Sequence, residues 1–165
     1  MTSTLAILGA GNIGTAIARG LVSSGRRSAG QVLLTRRDPS PLAPLAGEGF
    51  RVGSDNAAVL EEAATVLVCV QPQQLDALLD ELRPLLDPER HTLVSVVSGA
   101  SIAAIKARLG TAVPLVRAMP NVAIAVGRSM TCLAAADRAE PALDVARGIF
   151  DSGGTTLLPS CPGAA

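Results

Sequence analysis

The sequence predicts an α/β fold: a doubly wound, mostly parallel sheet with helices on both faces. Three observations carry that prediction. Short aliphatic or β-branched runs at 5–8, 31–35, 65–70, 92–97 and 113–118 alternate with segments of helical periodicity, the pattern of successive βαβ units. Those runs are largely apolar rather than alternating, as strands buried on both faces require. Each run ends in a small or polar segment: 9–14, 35–38, 71–73, 98–100 and 119–121. The predicted topology gathers these segments along one edge of the sheet, where open α/β folds bind ligands.

The first run, Leu5–Leu8, passes directly into Gly9-Ala10-Gly11-Asn12-Ile13-Gly14. A helix follows, with Ile13, Ala16, Ile17, Gly20, Leu21 and Ser24 recurring at three- and four-residue spacing, which sets one small, mostly apolar side against a sheet. Strand, glycine turn and helix in that order form a dinucleotide-binding fingerprint of the Rossmann type. Gly9 makes the tight turn, Gly11 admits a pyrophosphate, and Gly14 lets the helix pack closely. The free N–H groups and positive dipole end of the new helix then face the phosphates. The alternative is a glycine-rich turn that holds no ligand.

Residues 25–30 form a turn, and the second strand at 31–35 runs into Arg36-Arg37-Asp38-Pro39. In NAD-binding folds a carboxylate about 20 positions beyond the glycines takes the ribose 2′-hydroxyl. Here that place falls near 34–36, and two arginines precede any carboxylate. Guanidinium groups suit a 2′-phosphate, so the cofactor expected is NADP(H), with NAD(H) the weaker alternative. A solvated basic turn is the plainer reading of the same residues.

Pro39, Pro41 and Pro44 allow at most a short helix before a strand at 50–52. Asp55 or Asn56 can cap a helix to about Ala64, with Val59, Leu60 and Ala63 inward. The run at 65–70 reads as a central strand, and Gln71-Pro72-Gln73 turns the chain across its carboxyl end. Leu75, Leu78, Leu79, Leu82, Leu85 and Leu86 then mark an amphipathic helix. After the strand at 92–97, Ser101 caps a helix carrying Ile102, Ile105 and Leu109 inward. The remaining elements expected are strands at 113–118 and 129–136, a helix at 140–150 and a short strand at 155–158.

A length of 165 residues suits one domain, here 1–159, with 160–165 a tail. Fourteen basic and fourteen acidic residues cancel, and Phe50 and Phe150 are the only aromatics. That leaves no basic face and no stacking platform, so no nucleic-acid partner is expected. No apolar run reaches membrane-spanning length and no basic signal-peptide start is present, which points to the cytoplasm and to no membrane partner. Cys69, Cys132 and Cys161 have no metal-ligand spacing and read as free thiols. His91 is the only histidine. It excludes a multi-histidine metal site, argues against a Ser/His/Asp triad, and reads as a solvated loop residue.

Four segments together resemble the pyrroline-5-carboxylate reductase family, the enzymes of the last step of proline synthesis. They are the glycine segment at 9–14, Val70-Gln71-Pro72-Gln73, Val97-Ser98-Gly99-Ala100-Ser101-Ile102 and Arg117-Ala118-Met119-Pro120-Asn121. The likeness runs from about residue 5 to about 158. It implies NAD(P)H-dependent reduction of 1-pyrroline-5-carboxylate, a small cyclic imine, by hydride transfer, this chain being the cofactor-binding part. By the same resemblance Leu8, Gly9, Ala10, Gly11, Asn12 and Ile13 cover the pyrophosphate, and Arg36 and Arg37 contact the adenosine phosphate. Asn56 matches a nucleotide-contacting asparagine. Cys69, Val70, Gln71 and Pro72, with Val96, Val97 and Ser98, line the nicotinamide side, and Met119 and Asn121 approach the reacting ring. Gln71 departs from the family's usual lysine. Family members continue into a helical second domain that makes the homo-oligomer and supplies much of the substrate pocket, and 160–165 reads as the start of that missing domain or as a truncation end. No residue is identified as a catalytic acid or base. Two other readings stay open: a related short-substrate dehydrogenase, and a non-catalytic NADP-binding module.

Overall fold

The computed structural model describes residues 4–135 and 140–158. Five parallel βα steps build the sheet from β1 (Leu5–Leu8), β2 (Val32–Thr35), β3 (Arg51–Gly53), β4 (Thr65–Val68), β5 (Thr92–Ser95) and β6 (Leu115–Met119). Two more strands, β7 (Ser129–Ala135) and β8 (Gly154–Leu157), complete it in the spatial order β3-β2-β1-β4-β5-β6-β7-β8. β7 runs antiparallel to β6. The link between them is a single 3-10 turn, Val122–Val126, too short for the crossover that a parallel return needs.

Alternate residues of the central strands feed two cores. Leu5 and Ile7 of β1 face one side, with Ile17, Ala18 and Leu21 of α1 (Asn12–Ser23) and Ala146, Ile149 and Phe150 of a later helix (Glu140–Phe150). Leu45 of α2 (Ala43–Gly47) joins that side. Ala6 and Leu8 face the other, with Val59 and Leu60 of α3 (Asn56–Glu62), Leu75 to Leu82 of α4 (Pro72–Leu82) and Ile102, Ile105 and Leu109 of α5 (Ile102–Leu109). The helix at Glu140–Phe150 is α6. Each β1 side chain is fully buried, so the unbroken apolar run is what a two-sided strand demands.

Several boundaries differ from the sequence expectation. Gln31 belongs to a 3-10 turn, Ala29–Gln31, rather than to β2. The runs at 65–70 and 92–97 leave the sheet at Val68 and Ser95, and their last residues lie at its carboxyl edge. α3 stops at Glu62 and α4 at Leu82, where Pro84 blocks another turn; Leu85 and Leu86 follow the helix. The final strand begins at Gly154 and ends at Leu157. Ala136, Cys161 and the tail at 160–165 lie outside the described residues.

His91 is not solvated. It is 3% exposed; the Asp87 N–H donates to its Nδ1 at 2.8 Å, and its Nε2 lies 3.1 Å from the Leu60 carbonyl. With Nδ1 accepting, Nε2 carries the hydrogen and donates. The ring therefore ties the loop before β5 to α3. His91→Ala should cost about 1–3 kcal/mol, because the ring leaves a buried site and the Leu60 carbonyl there loses its donor. Urea unfolding checks this; a change within about 0.5 kcal/mol, as for a surface residue, would contradict it.

Candidate functional site

Strand order reverses at β1, which has β2 on one side and β4 on the other. Open sheets bind ligands at such a point, outside the carboxyl ends of the strands. There the chain forms a cleft of about 480 Å³. It brings together Gly9 and Gly11 from the turn after β1, Arg36 and Arg37 after β2, Asn56 at the start of α3, and Cys69, Val70 and Gln71 after β4.

The three glycines of the turn do different work. Gly9 has φ +76°, and a Cβ there would lie 2.4 Å from Val70 Cγ1. Gly14 packs α1 on the sheet, where a Cβ would come 3.0 Å from Ile7 Cγ2 and 3.6 Å from Cys69 Cβ. Gly11 is extended, and a Cβ there would meet nothing nearer than the Gly9 carbonyl oxygen at 3.9 Å. Its open side is the cleft.

Backbone bonds decide which amides of the turn face a ligand. The N–H groups of Gly9 and Ala10 donate to the Thr35 carbonyl at 3.0 and 2.9 Å, and that of Gly11 donates to the Gly9 carbonyl at 2.7 Å. Leu8 and Ala10 are fully buried. These bonds shape the turn, and Gly9 and Gly11 also line the cleft. The amides of Asn12 and Ile13 begin α1, which has no side-chain cap and no acidic residue in its first turn. Among the described residues they have no hydrogen-bond partner, and they stand on the positive end of the helix dipole, where an anion is favoured.

Arg36 and Arg37 are exposed and have no ion-pair partner among the described residues. Other arginines do: Arg19 with Glu48, Arg51 with Glu62, and Arg108 with Asp80. Asp38 follows them, but its Oδ1 accepts the Ser40 N–H at 3.0 Å. Hydrogen bonds from Ser40, aided by Arg36, hold its carboxyl below the usual range. The two guanidinium groups thus stand at this end of the cleft without an ion pair among the described residues.

Across the cleft, burial pushes the Cys69 thiol well above its ordinary value, which keeps it protonated and non-nucleophilic at neutral pH. Gln71 precedes α4, with its N–H donating to Gln74 Oε1 at 3.3 Å and its Oε1 accepting from Gln73 Nε2 at 2.7 Å. Pro72 is the first residue of α4 and, with Ser98, lines a separate groove between α4 and α5. Val97 is 3% exposed and belongs to the α4–α5 core, so its side chain supports the edge from behind. Val96 is half-buried against the opposite core. Met119 ends β6 with 42% of its surface exposed. Asn121 caps the 3-10 turn by accepting the Ala123 N–H at 3.1 Å. Met119 and Asn121 follow the same parallel edge but do not line the cleft.

The sequence reading missed one whole wall. Gln74, Ala77, Leu78 and Glu81 line the cleft from α4, and Thr35 and Ser54 line it as well. Gln74, Ala77 and Glu81 flank the buried leucine stripe to which Leu78 belongs, where sequence alone shows only a solvated face.

A sheet whose first six strands run 3-2-1-4-5-6, with a glycine turn at the switch point, defines a nucleotide-binding domain of the Rossmann class. The chain belongs to the family described as NADP oxidoreductase coenzyme F420-dependent, whose model matches residues 4–99. It is 44% identical over 168 residues to pyrroline-5-carboxylate reductase 1 of Dictyostelium discoideum, covering 94% of this chain and 30% of that protein. A pyrroline-5-carboxylate reductase structure from Coxiella burnetii superposes with a TM-score of 0.89 at 27% identity, covering 98% of this chain and 60% of that one. The Plasmodium falciparum pyrroline carboxylate reductase, solved with NADP bound, shares the fold at a TM-score of 0.84 and 18% identity, covering 96% and 58%. The chain therefore spans between 30% and 60% of the length of these relatives.

Proposed function

We propose that this chain binds NADP(H) and serves as the cofactor-binding part of an enzyme that reduces 1-pyrroline-5-carboxylate to proline. The observation that carries the reaction is the 44% identity to a pyrroline-5-carboxylate reductase across 94% of the chain. The residues present fit the cofactor: a helix start with no side-chain cap beside an open Gly11, and two arginines in the same cleft with no ion pair among the described residues. When bound, the cofactor supplies a hydride to the carbon of a C=N bond.

In this reading the first-turn amides of α1 hold the pyrophosphate, and Arg36 and Arg37 take the 2′-phosphate. Cys69, Val70 and Gln71 wall the cleft on the β4 side, and Met119 and Asn121 stand towards the reacting ring. An imine that arrives protonated already attracts a hydride, so the protein's task is to orient the ring and exclude water. A protonated Cys69 and a buried, structural His91 are compatible with chemistry that needs no strong enzymic acid. The substrate pocket is completed by polypeptide of the kind the longer relatives carry beyond the matched region.

The test pairs calorimetry with a steady-state assay of the 165-residue chain. NADPH should bind, while pyrroline-5-carboxylate should be reduced far more slowly than by a full-length relative, because misplacing donor and acceptor by an ångström costs about a hundredfold. Failure to bind NADPH would overturn the cofactor reading. Turnover as fast as the full-length enzyme would overturn the placement of the substrate pocket.

A further inference from the structure

Asn56, the first residue of α3, has its amide held from two sides. The Thr35 hydroxyl donates to its Oδ1 at 2.6 Å, and its Nδ2 donates to Oε1 of Glu81 at 3.0 Å. A carboxylate accepts hydrogen bonds and does not donate them, so the amide has one admissible orientation, nitrogen towards Glu81 and oxygen towards Thr35. The amide nitrogen carries a second hydrogen, which has no partner among the described residues. Thr35, Asn56 and Glu81 all line the cleft that holds Arg36 and Arg37.

We propose that Glu81 is a positioning residue for the adenosine half of the cofactor: it fixes Asn56 as a hydrogen-bond donor towards the sugar and phosphate oxygens that the arginines attract. The inference rests on the NADP(H) reading above and adds to it a residue on the α4 wall. Without Glu81 the Asn56 amide is free to turn, and its carbonyl oxygen then confronts ligand oxygens with a repulsive dipole. Thr35 alone does not prevent this, because a hydroxyl accepts as readily as it donates.

The competing role for Glu81 is a solvated carboxylate that acts on the ligand through charge alone, and the two roles predict opposite signs. Removing a negative charge beside two guanidinium groups strengthens binding of an anion, whereas releasing Asn56 weakens it. Calorimetric titration with NADPH should show Glu81→Ala weakening binding about tenfold, the size of one hydrogen bond to a charged group. Glu81→Gln should restore most of the loss, since its amide oxygen still accepts from Nδ2. Added to Asn56→Ala, the Glu81→Ala change should cost nothing further, the non-additivity expected of residues acting as a unit. Unchanged or tighter binding by Glu81→Ala would overturn the role of Glu81 and leave the cofactor reading standing, as would equal losses in the Ala and Gln variants or full additivity with Asn56→Ala. No binding by the unaltered chain would remove the cofactor reading and this inference with it.

Discussion

Gly11→Val should keep its fold and lower NADPH affinity by more than about a hundredfold. Two local facts make the fold tolerant. Gly11 is extended, with φ −95°, and the space its Cβ would enter is empty to 3.9 Å. That same space is the approach to the first-turn amides of α1, so a valine there stands where an anion must come. Hydrogen bonds between amides and a charged phosphate contribute about 1.5–3 kcal/mol each, and losing two accounts for the factor. The neighbouring glycines supply the contrast. Gly9→Ala puts a methyl group 2.4 Å from Val70 Cγ1 at a left-handed backbone position, and Gly14→Val crowds Ile7, already 3.0 Å from a Cβ. Those two should lose melting temperature first. Circular dichroism and thermal melting followed by NADPH titration separate the cases; a Gly11→Val chain that binds as well as the original would reduce the loop to a turn.

The sheet was legible because its strands are buried on both faces, which forces continuous apolar runs such as Leu5–Leu8 and Thr65–Val68. The tight turn at Gly9 and the close helix packing at Gly14 were legible too, since each follows from its place between strand and helix. What failed to show depends on distant partners. His91 sits in a Pro-Glu-Arg loop that looks solvated, and only the Leu60 carbonyl, 31 residues away in sequence, makes it a buried tie. Nothing in the sequence singles out Glu81, and its hydrogen bond is to Asn56, 25 residues earlier. Val97 is placed on the nicotinamide side by the family resemblance alone. Yet the strand leaves the sheet at Ser95 and the side chain turns into the core. Periodicity marks which face of an element is buried, but not which neighbour a polar atom meets.

The Arg36→Ala, Arg37→Ala double variant should lose its preference for NADPH over NADH while keeping NADH binding close to that of the original chain. The two cofactors differ only in the 2′-phosphate, so their affinity ratio isolates what that group touches. Both guanidinium groups lie in the cleft without an ion-pair partner among the described residues, so neither must abandon a carboxylate to meet a phosphate. Asp38, the nearest following carboxylate, already accepts the Ser40 N–H through Oδ1. A charged guanidinium–phosphate contact contributes about 1.5–3 kcal/mol, or roughly tenfold to a hundredfold in affinity. Exposure places the pair towards the lower end, and salt screening should shrink the preference further as ionic strength rises. The expected pattern is therefore a salt-sensitive NADPH/NADH ratio in the original chain and a ratio near one, insensitive to salt, in the double variant. Equal affinities of the original chain for the two cofactors would show that these arginines are solvated surface charges, and the choice of cofactor would have to be sought elsewhere in the cleft.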